Sequence, residues 1–394
     1  MAQSPAPRLP GRHLVQVPGP TNVPERVLRA MAAPTLDHRG PEFATLFQEF
    51  MPLLQRVFST SGPVVIFPGS GTGGWEAALV NTLSPGDAVL TVETGHFASL
   101  WAKVAAQFGL DVQTIATDWR SPVNPALVRE RLSADAAHAI KAVLVTHNET
   151  STGVTSDIAA VREAIDAAGH PALLFVDAVS SLASIDYRHD EWRVDVTVAG
   201  SQKGLMLPPG LGFNAVSEKA LAASTGASLP RAFWEWKPVL DQNASGFFPY
   251  TPATNLLLGL REALGMLMEE GLEQIFSRHL RHSRAARAAV EAWGLELLCT
   301  AKEAYSPTVT AVLLPEGHTD AEFRKVAHDH FGLALGAGMG QLAGKVFRIG
   351  HLGDFDDLSL IAALAGVELS LERGGLPHHH GGVAAALDEL RASA

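Results

Sequence analysis

Between Val64 and Val216 seven short apolar runs recur, each set off from the next by polar or helix-patterned chain. They are VVIF (64–67), AVLTV (88–92), DVQTI (111–115), AVLVTH (142–147), ALLFVD (172–177), VTVAG (196–200) and GFNAV (212–216). Amphipathic stretches such as LWAKVAAQFG and IAAVREAIDAAG lie between several of them. That alternation predicts an α/β fold with a mostly parallel seven-stranded sheet between helices. Several runs carry almost no polar residue, as strands buried on both faces do.

Downstream the pattern changes. Residues 218–260 are rich in Trp, Phe, Pro and Tyr and poor in periodicity, as in LPRAFWEWKPVL and GFFPYTPAT. One long helical passage then runs to Gly294, with a predicted break near Gly271. The pieces TVTAVLLP, EFRKVAHDHFG and VFRIGHL form a second, smaller α/β unit. The expected division is an N-terminal arm at 1–22, a large domain at 23–265 and a small C-terminal domain at 266–394.

Composition narrows the function classes. A net charge of -11 without any basic run argues against a nucleic-acid backbone as partner. Cys299 is the single cysteine, so no internal disulfide or multi-cysteine metal cluster can form. No apolar stretch approaches the length of a membrane span. The first twelve residues, MAQSPAPRLPGR, lack the apolar core of a secretory signal and read as a mobile arm. The expected location is the cytoplasm.

The stretch FPGSGTGGWEAALVNTLSPGD (67–87) places Gly69, Gly71 and Gly74 as GxGxxG between an apolar strand and a helix. Glu93 lies about twenty residues on, where a ribose-binding carboxylate would sit. An NAD-binding turn is one reading; a turn that cups another phosphate, or no ligand, is equally compatible with the spacing alone. Among the eight lysines, Lys203 is distinctive. It follows the strand VTVAG in AGSQKGLMLPPG, at the carboxyl end of the sheet, where α/β folds bind ligands. An amine there can form a Schiff base with an aldehyde. Asp177 closes the strand ALLFVD. It is either a turn former or a carboxylate facing a pyridinium nitrogen, which an anion keeps protonated. Lysine, acid and phosphate cup are the parts pyridoxal 5′-phosphate needs, with Ser70 and Thr72 hydroxyls and helix N–H groups forming the cup.

Together PGPTNVPERVL, SGTGGWEAALVN, THNETSTGV, FVDAVSS, GSQKGLMLPPGLG and GKVFRIGHLG resemble the class V aminotransferases, in particular the serine–glyoxylate and alanine–glyoxylate subgroup. The resemblance runs in unbroken order from about Pro18 to Leu352. It implies the fold type I of pyridoxal-phosphate enzymes, a homodimer and ping-pong transamination from a small amino acid, serine preferred and alanine possible, to glyoxylate. It also implies the site. Lys203 matches the Schiff-base lysine and proton shuttle, and Asp177 the ring-nitrogen partner. Ser70, Gly71, Thr72 and Gln202 match phosphate ligands, Thr150 the partner of the phenolic oxygen, and Phe97 the ring stacked on the cofactor. Arg348 matches the substrate-carboxylate arginine, within an apolar run where a surface ion pair fits poorly. Tyr250 and Thr251 match a pair that completes the phosphate site of the other subunit. Gly19, between Pro18 and Pro20, is expected over the substrate, and Asp37, His38 and Arg39 near the mouth. Aspartate is the alternative donor. A cysteine desulfurase would need Cys299 as nucleophile, in a context suited to an inert thiol. His378, His379 and His380 read as a surface loop and not a metal site.

Overall fold

A computed structural model describes residues 13–393, so the expected mobile segment 1–12 lies outside the described residues. All seven predicted strands form one sheet. Its order is Val64–Gly69, Gly210–Val216, Val196–Gly200, Leu173–Asp177, Ile140–Thr146, Ala88–Glu93 and Asp111–Ala116. Only Gly210–Val216 runs against its neighbours; every other pairing is parallel. The strands from Val196–Gly200 to Ala88–Glu93 are almost wholly buried, which explains their unbroken apolar sequence. Asp111–Ala116 lies at one edge, and all its residues are exposed or half-buried, matching the polar DVQTIA.

The helix Gly71–Thr82 packs on Val196–Gly200 and Gly210–Val216. Its own face is apolar nearly all round, with Trp75, Ala77, Ala78, Leu79 and Val80 buried. Two helices precede the sheet, Glu25–Met31 and Pro41–Phe58. The aperiodic region after Val216 contains the short helices Glu218–Ser224 and Trp236–Asn243. The long helical passage is indeed two helices, Thr254–Glu270 and Leu272–Ala292, parted at Gly271 with φ of 87°. Only glycine adopts that backbone freely.

A second sheet has the order Leu14–Gln16, Leu333–Ala337, Val346–Gly350, Val309–Leu313 and Glu296–Leu297. Its core, with Trp293, Phe323, Phe347 and Leu364, is separate from the core of the large sheet. The helix Leu272–Ala292 spans both: Ile275 belongs to the first core and Ala285 to Val290 supply the second. The edge strand Leu14–Gln16 pairs with Leu333–Ala337, which carries the following Pro18–Gly19–Pro20 turn toward the carboxyl ends of the large sheet.

Candidate active site

At that carboxyl edge lies a cavity of about 230 Å³. Ser70, Gly71 and Thr72 from the helix start line it, with Phe97, Thr150, Asp177, Gln202, Lys203 and Gly19. Parallel strands all point their carboxyl ends here, so residues remote in sequence meet at one edge.

The glycines of the 67–87 turn have two jobs. No side chain caps the helix Gly71–Thr82 at Ser70, so the N–H groups of its first turn can serve an anion. Packing is the second job: a Cβ at Gly73 would lie 2.5 Å from Trp234, and one at Gly74 2.7 Å from Val198. Glycine lets the helix approach the sheet and the Trp234 ring. Glu93 does not face the cavity; its Oε1 accepts from the Trp119 indole at 3.3 Å. The acid that the NAD reading required is therefore engaged elsewhere.

Lys203 sits three residues beyond the strand Val196–Gly200 and is buried in the cavity wall. Its Nζ donates to the Pro18 carbonyl. Burial, and then the nearby Arg348 charge, lower the amine to about 8, while Asp177 and Glu149 oppose the shift. A reactive neutral amine is thus populated close to neutral pH. Gly19 packs directly on this side chain: with φ of 99°, it leaves no room for a Cβ.

Asp177 ends the strand Leu173–Asp177. Its Oδ1 accepts from the Val179 N–H at 2.8 Å and its Oδ2 from the Trp75 indole at 3.1 Å. Burial pushes the carboxyl up to about 7, and Glu149 adds to that shift; the two donors and Lys203 pull it down. A cation placed against Asp177 would restore the carboxylate.

Arg348 lies on the strand Val346–Gly350, buried behind Thr150 and not on the cavity wall itself. Its Nε donates to the Ala337 carbonyl and its Nη1 to the Thr150 carbonyl, each at 2.8 Å. These neutral acceptors fix the guanidinium without neutralising it. Burial lowers it to about 10, and Glu149 works against that shift. The Thr150 hydroxyl donates to Ser180 Oγ at 2.7 Å, so reaching a phenolic oxygen requires it to turn.

Tyr250 and Thr251 lie outside this chain's own cavity. The Tyr250 hydroxyl donates to the Ile66 carbonyl at 3.0 Å, and exposed Thr251 sits 3.5 Å from His38 Nε2. Asp37 accepts from the Arg39 N–H, so the 37–39 turn accompanies Thr251, away from the cavity wall. Cys299 is buried in a separate pocket beside Val309, and burial raises its thiol. His378 donates from Nδ1 to the Leu376 carbonyl. Among the described residues no group of three or more His, Cys, Asp or Glu could hold a metal ion.

Sequence reasoning missed Trp75, Asn148 and Glu149. Glu149 is fully buried and accepts from the Ser151 hydroxyl at 2.7 Å and the Ala98 N–H at 3.1 Å. It thereby ties the start of the helix His96–Gln107, which carries Phe97, to the loop that carries Thr150. An acid inside the otherwise uncharged NETSTG was its only signal.

Residues 15–346 match the class V aminotransferase family. The chain is a class V aminotransferase. It is 52% identical, over 98% of both chains, to the serine–glyoxylate aminotransferase of Methylorubrum extorquens. It is 47% identical to the L-aspartate–glyoxylate aminotransferase of Paracoccus denitrificans, over 95% of both. The crystal structure of pyridoxamine–pyruvate aminotransferase from Mesorhizobium loti superposes with a TM-score of 0.90 at 30% identity, covering 97% of each chain. The cofactor of this class V aminotransferase is pyridoxal phosphate. The residues present fit that group. A buried amine, a buried carboxylate and an uncapped helix N-terminus share one cavity. The side-chain amide of Gln202 also lines it, and its Nε2 is the atom that could donate to a phosphate.

Proposed function

We propose that this aminotransferase moves the amino group of serine to glyoxylate, giving glycine and a 2-oxo acid, in two half-reactions that share one site. The observation that carries the reading is the amine of Lys203 beside Asp177 in one cavity, in a chain 52% identical to a serine–glyoxylate aminotransferase. When bound, pyridoxal phosphate supplies an electron-withdrawing ring that stabilises negative charge at the substrate Cα.

The chain's own residues do the rest. Ser70, Gly71, Thr72 and Gln202 bind the phosphate through hydroxyl, amide and helix N–H donors. Asp177 would pair its carboxylate with the ring nitrogen, and Phe97, on the same cavity wall, would cover one ring face. Arg348 stands behind Thr150 with Nε and Nη1 engaged, and its remaining N–H groups would meet the substrate α-carboxylate and fix the direction of the Cα–H bond. Lys203 Nζ takes the proton from Cα, a role suited to an amine lowered to about 8. Gly19 and Pro20 line the cavity, with Gly19 packed on the Lys203 side chain.

A homodimer follows from this reading, because Tyr250 and Thr251 would complete the phosphate site of the second subunit. Their position outside their own cavity supports it. The same reading divides the chain into an arm at 1–22, a large domain at 23–265 and a small domain at 266–394; the two separate cores support two domains, with Leu267 and Ile275 still packed in the first. No helix among the described residues is long and apolar enough to cross a membrane, and we place the enzyme in the cytoplasm.

Aspartate is the second reading, favoured by the 47% identical aspartate–glyoxylate relative. Isotopically labelled amino nitrogen separates the two. Serine, alanine and aspartate are each supplied with glyoxylate, and label in glycine is read by mass spectrometry. Fastest transfer from serine supports the proposal; fastest transfer from aspartate replaces it with the second reading. No labelled glycine from any donor overturns both.

A further inference from the structure

Trp75 has no part in the chemistry described so far, yet its indole touches the most consequential carboxylate in the cavity. It is the fifth residue of the helix Gly71–Thr82, 2% exposed, and lines the cavity wall. Its Nε1 lies 3.1 Å from Asp177 Oδ2. The indole plane is held by a stack of rings. Trp75 and Trp101 are nearly parallel, at 15° with centroids 5.8 Å apart, and Trp101 stacks in turn on Phe175 at 18° and 6.5 Å. Phe175 precedes Asp177 by two residues on the same strand, so both side chains project from one face of the sheet. One end of the ring stack and the carboxylate it serves are therefore built on the same strand.

We propose that Trp75 is a positioning residue that holds Asp177 ionised and aimed at the ring nitrogen of pyridoxal phosphate. The inference rests on the cofactor reading above. Its chemical ground is that an indole N–H only donates. A carboxylate can accept from it, whereas a partner able to accept would favour the protonated acid equally well. Burial and, less strongly, the like charge of Glu149 favour protonation of Asp177, while Lys203 favours the anion. Within the protein, the hydrogen bonds that hold the anion come from Val179 N–H and Trp75. Removal of the indole leaves one of those two donors, and a carboxylate whose Oδ2 is free to turn.

The test uses apoprotein and two ligands. One is pyridoxal phosphate; the other is its deaza analogue, in which a C–H replaces the ring nitrogen and no pairing with Asp177 is possible. Binding is followed by quenching of protein fluorescence, in wild type, Trp75→Phe, Asp177→Asn and the double variant. Phenylalanine keeps the ring stack and removes the N–H. The expected result is a loss of affinity for pyridoxal phosphate of about tenfold in Trp75→Phe, the scale of one hydrogen bond to a charged group. Affinity for the deaza analogue changes less than about twofold, and Trp75→Phe adds nothing in the Asp177→Asn background. Equal losses for both ligands would assign Trp75 a role in cavity shape alone and overturn the proposal. Unchanged affinity for both overturns it as well. Wild-type protein that binds neither ligand instead refutes the cofactor reading, and the proposal with it.

Discussion

Replacing Arg348 by lysine tests whether the guanidinium recognises the substrate carboxylate. In the folded chain Nε and Nη1 are each tied to a backbone carbonyl at 2.8 Å, Ala337 on one side and Thr150 on the other. A lysine amine is a point donor that cannot bridge those two carbonyls and present a planar edge to a third group. At least one charged hydrogen bond to the substrate is lost, worth about 1.5–3 kcal/mol. That converts to about 10- to 150-fold weaker amino-acid binding. The assay is a half-reaction: holoenzyme is titrated with serine in the absence of any 2-oxo acid, and the decline of the visible cofactor absorbance gives an apparent Kd. Cofactor affinity is expected to hold, because Arg348 is not on the cavity wall. One backbone carbonyl left without its donor also costs about 1–3 kcal/mol of stability, which appears as a lower Tm. An unchanged Kd for serine, with the Tm lowered, would make Arg348 a purely structural tie and refute the reasoning.

Two further outcomes are expected. Burial raises Asp177 from its usual range to about 7, so folded apoprotein binds a proton that the unfolded chain has released between about pH 4 and 7. Stability from this group is full below about pH 4 and is lost as pH rises through 7; urea unfolding of apoprotein should show that decline, and Asp177→Asn should lack it. Cys299→Ala should keep transamination near the wild-type rate and iodoacetamide should label wild-type Cys299 slowly, since burial both hides the thiol and raises it.

The sheet was legible because its strands other than Asp111–Ala116 are largely buried and read as short apolar runs. Lys203 and Asp177 were legible for the same reason, as charged residues at the ends of such runs. The strand Leu14–Gln16 was not, since three residues carry no period. The helices Glu25–Met31 and Pro41–Phe58 went unmarked, the second with Pro52 within it. The glycine turn was half legible. The strand-to-helix spacing offered an anion cup as one reading, but the need for glycine at Gly73 comes from Trp234, far along the chain. Trp75 and Glu149 were hidden for a related reason: a tryptophan in an apolar helix, or an acid in a polar loop, acquires meaning only when tertiary structure supplies its partner. Tyr250 and Thr251 were marked by the resemblance alone, and in this chain they lie outside the cavity.

The central claim is that Lys203 holds pyridoxal phosphate and cycles it between an amino acid and glyoxylate. Visible spectra of purified enzyme, taken alone, after serine and again after glyoxylate, test it most directly. The account predicts a band that fades with serine and returns with glyoxylate in wild type, and no such cycle in Lys203→Ala. A wild-type protein without the band, even after pyridoxal phosphate is added, would contradict it, as would a Lys203→Ala variant that cycles at the wild-type rate.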